Sequence, residues 1–83
     1  MYPEQIYLQS VISPLVSFPD DIRVDRKVDE RGVLLELHLH REDMGKIIGK
    51  QGDTARALRR IMRQFGMMNE SHIALKINEP TYD

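Results

Sequence analysis

The sequence predicts an α+β domain whose elements follow the order α-β-β-α-α-β, with three strands in one mixed sheet and the helices packed on one face. Three observations support this prediction. Two segments in which apolar and polar residues alternate flank the short turn 30–32, and a third such segment spans residues 73–77. Two helical segments meet at a turn between Gly49 and Gly52, and a further helical segment begins near the N-terminus.

Composition limits the class of protein. The chain has 83 residues, of which 41% are hydrophobic and 30% are charged, as is typical of one soluble globular domain. We predict a single domain over residues 1–83, with an ordered core from about residue 3 to residue 77 and a polar tail over 78–83. The chain has no cysteine, and neither a signal sequence nor a membrane-spanning apolar run is recognisable in it. We therefore expect a cytoplasmic protein without disulfides.

The N-terminal helix is predicted to begin at Pro3, because proline at the first helical position sacrifices no hydrogen bond. Pro14 interrupts the helical pattern, so we expect a kink or a break between Ser10 and Ser13. The apolar side chains of this segment should form a rough face that covers the sheet, and they are Ile6, Tyr7, Val11, Ile12, Leu15 and Phe18.

The first two strands are predicted to form a β-hairpin. Residues 22–28 and 33–39 alternate between apolar and polar side chains, although Arg26 interrupts the apolar row of the first segment. The second strand should present one apolar face to the core, formed by Val33, Leu35, Leu37 and Leu39. The same alternation predicts a third strand over residues 73–77.

Two helices flank the turn formed by residues 49–52, which we call the glycine turn. A short helix begins near Arg41 and ends near Ile48, and a longer helix begins at Asp53 and is predicted to end at Gly66. The longer helix has an apolar face that should pack on the core, formed by Ala55, Leu58, Ile61, Met62 and Phe65. Arginines with helical spacing occupy its opposite face, at positions 56, 59, 60 and 63.

The glycine turn has the properties of a phosphate site. Glycines at both ends let the backbone turn sharply and approach a ligand closely. The helix that begins at Asp53 directs free N–H groups and a positive dipole end toward the turn, which also contains Lys50. A nucleotide-binding P-loop is excluded, because Gly45 and Gly49 enclose only three residues and no serine or threonine follows Lys50.

Positive charge is concentrated around this turn. The formal net charge of the chain is −1, which argues against coating nucleic acid by bulk charge. Residues 41–63 nevertheless contain seven basic and three acidic side chains, whereas the other residues contain five basic and ten acidic ones. This uneven distribution would steer phosphate toward the glycine turn.

The run Glu42-Asp43-Met44-Gly45-Lys46-Ile47-Ile48-Gly49-Lys50-Gln51-Gly52 resembles the GxxG segment of small, stand-alone bacterial KH-domain RNA-binding proteins of the KhpA type. The resemblance extends over nearly the whole chain, and it implies a type II KH domain that binds single-stranded RNA without catalysis. It also implies a partner, either a second copy in a homodimer or a larger KH-containing RNA-binding protein, because short backbone-gripping sites gain affinity by multivalency.

The resemblance selects candidate RNA-binding residues. The glycine turn would hold the sugar–phosphate backbone of about four nucleotides. Arg56 lies within one helical turn of it, whereas Arg63 lies about 10 Å beyond Arg56 and is assigned to plain surface. Asp53 departs from the family pattern and should compete with phosphate for the same positive field. The candidate residues are Lys46, Ile47, Gly49, Lys50, Gln51, Gly52, Arg56 and Arg59. Ile47 is the candidate for base contact, although an apolar residue at this position also suits the core.

We predict no catalytic site, no metal site and no cofactor. His38 and His40 lie two residues apart on one predicted strand, but no acidic residue is patterned with them as a third ligand. One alternative belongs to a different class: a protein-interaction module that uses the glycine turn for dimerisation. The negative net charge and Asp53 favour this alternative, whereas Lys46, Lys50 and Arg56 favour RNA binding.

Overall fold

The computed structural model describes residues 1–49 and 52–78, so the predicted tail beyond Asn78 lies outside the described residues. The predicted order α-β-β-α-α-β is confirmed. The elements are α1 (Pro3–Ile12), β1 (Arg23–Asp29), β2 (Gly32–His38), α2 (Arg41–Ile48), α3 (Asp53–Met68) and β3 (Ile73–Ile77), with 3-10 turns at Ser13–Leu15 and Pro19–Asp21. No helix within the described residues is long and apolar enough to cross a membrane.

The sheet is mixed, as predicted. Its strand order is β1-β2-β3, with β1 antiparallel and β3 parallel to the central strand β2. The hairpin pairs Arg23 with His38 at one end and Asp29 with Gly32 at the other. Asn78, where the tail was predicted to begin, still donates its backbone N–H to the Leu37 carbonyl over 3.0 Å, so the parallel pairing continues past β3.

The core lies between the sheet and the helices. Leu35 and Leu37 of β2 are fully buried, and Val33 and Leu39 pack against the core from partly buried positions, which confirms the predicted apolar face. The three helices and strand β3 contribute the other buried residues of this core, which are Leu8, Ile12, Met44, Ile47, Ala55, Leu58, Met62, Ile73, Leu75 and Ile77. The helices therefore cover one face of the sheet and leave the other face to the polar side chains of the strands.

The apolar face predicted for the N-terminal segment is wrong in part. Helix α1 buries Leu8 and Ile12 completely, whereas Ile6, Leu15 and Phe18 remain 51%, 50% and 39% exposed. Ile6 lies within α1 but is not on the side that buries Leu8 and Ile12. For Leu15 and Phe18 the reason is that the helix stops at Ile12, where Pro14 forces the change to a 3-10 turn, as the predicted break required. Beyond that break, residues 15 and 18 no longer share a helical face with α1.

Arg26, which interrupts the apolar row of β1, attaches α1 to the sheet. Its Nε donates to Glu4 Oε1 over 2.5 Å, and its guanidinium carbon lies 3.6 Å from the centroid of the Tyr2 ring. Gln5 adds a hydrogen bond of 2.9 Å from its side-chain amide to the Val24 carbonyl. Polar side chains thus anchor the first turn of α1 onto β1, beside the apolar contacts of Leu8 and Ile12.

Helix α3 continues two residues beyond Gly66, where it was predicted to end. A Cβ atom at Gly66 would lie 2.8 Å from the Ser71 carbonyl oxygen and 3.0 Å from Ile73 Cγ1. The Ser71 N–H donates to the Gly66 carbonyl over 2.8 Å, which holds the connection to β3 against the helix. Glycine is therefore required here for close packing of the α3–β3 connection and does not serve as a helix stop.

Asp43 is a buried carboxylate that ties the segment before β1 to α2. It has no exposed surface, and its two oxygens accept hydrogen bonds of 2.8 Å from the Ser17 N–H and 2.9 Å from the Phe18 N–H. Burial alone would raise the pKa of Asp43, but these two amides and the nearby Lys46 charge outweigh it and hold the pKa below its ordinary value. The carboxylate therefore stays ionised while satisfying two backbone donors.

Gly66→Ala should destabilise the domain by roughly 1–3 kcal/mol, because the new methyl group meets backbone atoms that cannot rotate away. Gly45→Ala is the matched control, since Gly45 is also helical but a Cβ atom there meets nothing within 4 Å. Alanine at position 45 should stabilise α2 by about 0.5–1 kcal/mol through its higher helix propensity. Chemical denaturation measures both changes, and equal effects of the two substitutions would contradict the packing role of Gly66.

Asp43→Asn should lower the melting temperature at pH 7 by roughly 10 °C, because an amide can accept only one of the two backbone hydrogen bonds. A carboxylate with a lowered pKa stabilises the fold above its unfolded pKa of about 3.9 and loses that effect as the pH falls through the folded pKa. The difference in melting temperature between wild type and variant should therefore shrink below about pH 4.

Two features isolate Asp43 in this experiment. The pKa of Glu36 is also lowered, chiefly by its hydrogen bond from Lys27, but Glu36 is present in both proteins and its titration cancels in the difference. Asp53→Asn is the control, because the Asp53 side chain is 74% exposed and its removal should change the melting temperature little. A constant difference from pH 7 to about pH 2 would show that the charge of Asp43 is unimportant.

Candidate nucleic-acid interface

The junction between α2 and α3 depends on glycine at both of its described positions. Gly49 ends α2 with φ of +23°, and a Cβ atom there would lie 2.8 Å from the Lys46 carbonyl oxygen. Gly52 precedes α3 in the left-handed region, with φ of +67° and ψ of +24°. Residues with a Cβ atom rarely adopt these backbone conformations, so both glycines are required for the turn. Lys50 and Gln51, which lie between them, fall outside the described residues.

The first turn of α3 carries opposite charges. Gly52 has no side chain that could accept hydrogen bonds from the N-terminal amides of this 16-residue helix. Asp53 is 74% exposed and lies 3.3 Å from Arg56 Nη1, which belongs to a side chain that is 71% exposed. The acid that departs from the family pattern thus pairs with a candidate phosphate ligand. Exposed pairs of this kind contribute little stability, so Arg56 can exchange Asp53 for another anion.

Lys46 lies on the last turn of α2, on the approach to the glycine turn. Its Nζ donates to Ser17 Oγ over 2.6 Å and lies 3.6 Å from Asp43 Oδ1. The side chain is 57% exposed, so its charge stays accessible to solvent. The buried Asp43 carboxylate therefore lies between Lys46 and the backbone of Ser17 and ties Ser17 to α2.

A shallow groove runs between α3 and β3, and we call it the α3 groove. Arg59 and Arg63 line its helical side, and residues 72–75 line the other side. Because β3 pairs only with β2 among the described residues, its outer edge toward the groove keeps unpaired backbone donors and acceptors. Arg59 was a candidate from the sequence. Arg63 was assigned to plain surface, although its spacing of four residues from Arg59 places both on one helical face.

Ile47, the predicted base-contact residue, belongs to the core. It is only 3% exposed, whereas the neighbouring Ile48 is partly buried and packs on the core from its edge. Ile47 faces inward because α2 directs it, one turn after Met44, toward the sheet. Little of its surface is therefore left for contact with a base. The role of Ile47 is to pack in the core.

The structure thus brings some candidates together and separates others. Lys46, Gly49, Gly52 and Arg56 surround the junction of α2 and α3, whereas Arg59 lies one turn further along α3, in the α3 groove.

Of the three histidines, His40 caps α2 by accepting a 3.1 Å hydrogen bond from the Glu42 N–H and stacks on Phe18 with ring centroids 3.9 Å apart. It therefore does not share a strand face with His38, which is the last residue of β2.

Comparison with known proteins agrees with this architecture. Residues 5–77 match the family described as KhpA/KhpB, KH domain. The chain is 40% identical over 67 residues to the RNA-binding protein KhpA of Bacillus subtilis, which covers 81% of this chain and 83% of the relative. It is 42% identical over 59 residues to the KhpA of Mycobacterium leprae, covering 71% and 74% of the two chains.

A third relative is the RNA-binding protein KhpA of Clostridium acetobutylicum, which is 34% identical over 70 residues that cover 84% of this chain and 93% of the relative. The family match over residues 5–77 therefore spans all the helices and strands except Pro3 and Glu4 at the start of α1. The chain belongs to the KhpA/KhpB family of KH domains.

Proposed function

We propose that this protein binds single-stranded RNA, without catalysis, through the glycine turn and the α3 groove. One observation carries the proposal: two glycines with positive φ form the junction of α2 and α3, with Lys46 before it and Arg56 after it. Its relatives are named RNA-binding proteins, and RNA as the ligand implies a cytoplasmic location. The RNA-binding residues are those predicted from the sequence, with Arg63 added and Ile47 reassigned to the core.

The glycine turn is suited to the phosphates. Glycines at 49 and 52 keep side chains away from the backbone, and Gly52 at the N-cap of α3 offers no side-chain cap to the amides that follow it. Lys46 approaches from α2 and Arg56 from α3, so a phosphate at the turn would meet a cation on each side. Lys50 and Gln51, which complete the turn in the sequence, are proposed to contact the same phosphates.

The α3 groove is suited to unpaired bases. Arg59 and Arg63 can stack on bases or bind phosphates along one side, while the open edge of β3 offers N–H and C=O groups along the other. Bases in a duplex have already paired the edges that such backbone groups would contact. The groove therefore favours single strands, whose bases can turn outward.

A partner is proposed as well, in the form of a second copy or another KH protein. The chain exposes an apolar patch, the α1–α3 patch, formed by Tyr7, Ile61, Gln64, Phe65 and Met68. The rings of Tyr7 and Phe65 stack across the two helices with centroids 4.7 Å apart, and Met68 is 77% exposed. Ile61 and Met68 lie about 13 and 24 Å along α3 from Gly52, at 1.5 Å per residue.

Self-association through this patch would leave the glycine turn of each copy open to RNA. The alternative in which the glycine turn itself is the dimer interface has less apolar surface to support it among the described residues, because Ile47 beside the turn is buried and Ile48 is partly buried. Two linked RNA sites would also raise the affinity of a short backbone-gripping site.

Replacing Lys50 and Gln51 by aspartate should abolish RNA binding and leave the fold intact. Each lost charge-assisted contact weakens binding by roughly 1.5–3 kcal/mol, and the added negative charges repel the phosphates. The control is Lys27→Asp with Gln9→Asp, which changes the net charge equally on β1 and α1. Fluorescence anisotropy with a short fluorescent single-stranded RNA measures affinity, and circular dichroism checks the fold.

The salt dependence of binding tests the same proposal. Three or four phosphate contacts predict a slope of log affinity against log salt of about −2 to −3. A duplex of the same sequence should bind more weakly. Retained affinity in the folded Lys50/Gln51 variant, equal loss in the control, or binding that does not depend on salt would each move the site away from the glycine turn.

Met68→Glu should weaken self-association, because it places a charge in the α1–α3 patch. Met67→Glu is the matched control: Met67 is the neighbouring residue, is 64% exposed, and does not line the patch. Sedimentation velocity at increasing protein concentration measures the change. A wild-type protein that remains monomeric at high micromolar concentration, alone and with RNA, would exclude the homodimer and leave a different KH protein as the partner.

A further inference from the structure

The face of the sheet opposite the helices carries two acidic residues at directly opposite positions of neighbouring strands. Asp25 of β1 is the register partner of Glu36 of β2, and like charges at such positions destabilise an antiparallel pair. His38 lies two residues after Glu36 and therefore on the same face. We propose that Asp25, Glu36 and His38, the carboxylate–histidine cluster, bind a divalent transition-metal ion.

The ligand atoms are close to the separations that such an ion needs. His38 Nε2 lies 3.1 Å from Asp25 Oδ2 and 4.0 Å from Glu36 Oε2, and one ligand atom from each residue lies within 4.8 Å of the other two. Tetrahedral zinc with bonds of about 2.0–2.2 Å separates its ligands by roughly 3.3 Å. The strand backbones are held by the ladder of β1 and β2, so small side-chain rotations close the remaining difference.

Cations already occupy the position where the ion would bind. Arg23 Nη2 lies 3.2 Å from His38 Nε2 and 3.2 Å from Asp25 Oδ2, and Lys27 Nζ lies 3.1 Å from Glu36 Oε1. The side chains of Arg23 and Lys27 are 66% and 70% exposed. They can swing into solvent with little loss, because exposed ion pairs contribute little stability. Arg23 is thus a weak competitor for the proposed ion.

Asn78 contacts the cluster from the end of β3, and its amide, like Arg23, must turn away from His38 Nε2 before an ion can bind there. Its side-chain amide nitrogen lies 3.3 Å from Glu36 Oε2 and 3.2 Å from His38 Nε2. A hydrogen bond from the amide orients the Glu36 carboxylate, as groups around metal ligands commonly do. The Glu36 side chain is only 13% exposed, so its orientation is restricted before an ion binds.

The ligand set indicates the class of ion. One imidazole and two carboxylates suit zinc and related borderline ions, whereas calcium and magnesium prefer oxygen ligands alone. In the sequence, no acidic residue is patterned with His38 and His40 as a third ligand. The hairpin register supplies Asp25 and Glu36 instead, and His40 is engaged at the start of α2.

Zinc titration of the tag-free, chelator-treated protein by isothermal calorimetry tests the proposal, with millimolar magnesium present throughout. We expect saturable binding of one ion per chain and a zinc-dependent rise in melting temperature. His38→Gln should weaken zinc binding at least tenfold, in line with the loss of a direct ligand. Asp25→Asn provides a second variant with the same expected direction.

Two controls separate a metal site from an ordinary network of ion pairs. Arg23→Gln should strengthen zinc binding by roughly two- to fivefold, because it removes the competing cation. His72→Gln should have no effect, since His72 is an exposed histidine outside the cluster. Absence of saturable binding, unchanged affinity in His38→Gln, dependence on His72, or weaker binding in Arg23→Gln would each overturn the proposal. None of these outcomes depends on RNA binding.

Discussion

Parallel pairing of β2 with β3 is the constraint from which the candidate site follows. Two parallel neighbours in a sheet cannot be joined by a tight turn, so the chain must cross over and return to the starting end of the sheet. Helices α2 and α3 form this crossover, and both must cover the same face to bury the apolar side of β2. The chain therefore has to reverse between the two helices within residues 49–52, and Gly49 and Gly52 permit that reversal. The phosphate-binding geometry proposed for the turn is a consequence of this topology.

The crossover alone does not position the groups around the turn. Asp43 links α2 to the segment 17–18 through two backbone hydrogen bonds, and it holds Lys46 within 3.6 Å. A buried carboxylate is stable here because each oxygen accepts a backbone N–H, which offsets the loss of water. At the other side of the domain, Arg26 and Glu4 fasten α1 over β1 in a similar way. Hydrogen bonds and an ion pair at the edge of the small core thus add to the apolar packing inside it.

The two proposals concern opposite sides of the sheet. Basic residues gather around the crossover, where α2 and α3 meet, and the carboxylate–histidine cluster lies on the strand face that no described helix covers. A chain with a net charge of −1 can attract phosphate only if its charges are separated in this way. Two of the acidic residues that lower the net charge, Asp25 and Glu36, belong to the proposed metal site. RNA binding at one side and metal binding at the other can be tested without interfering with each other.

The sequence by itself determined the features that depend on local periodicity. Alternation located the hairpin and the apolar face of β2, and helical spacing located the side of α3 that buries Ala55, Leu58 and Met62 but not Ile61 and Phe65, which line the α1–α3 patch. The glycines located the turn with its flanking cations. Only the tertiary structure decided which apolar residues of α1 reach the core, why Gly66 is glycine, and that Asp43 binds the backbone of a segment 25 and 26 residues away. It also decided between the two roles that the sequence left open for Ile47, core and base contact. Register decided that Asp25 meets Glu36 and His38. These features depend on contacts between residues distant in the chain, which short-range patterns do not encode, because a side chain's environment is set by the element that packs against it.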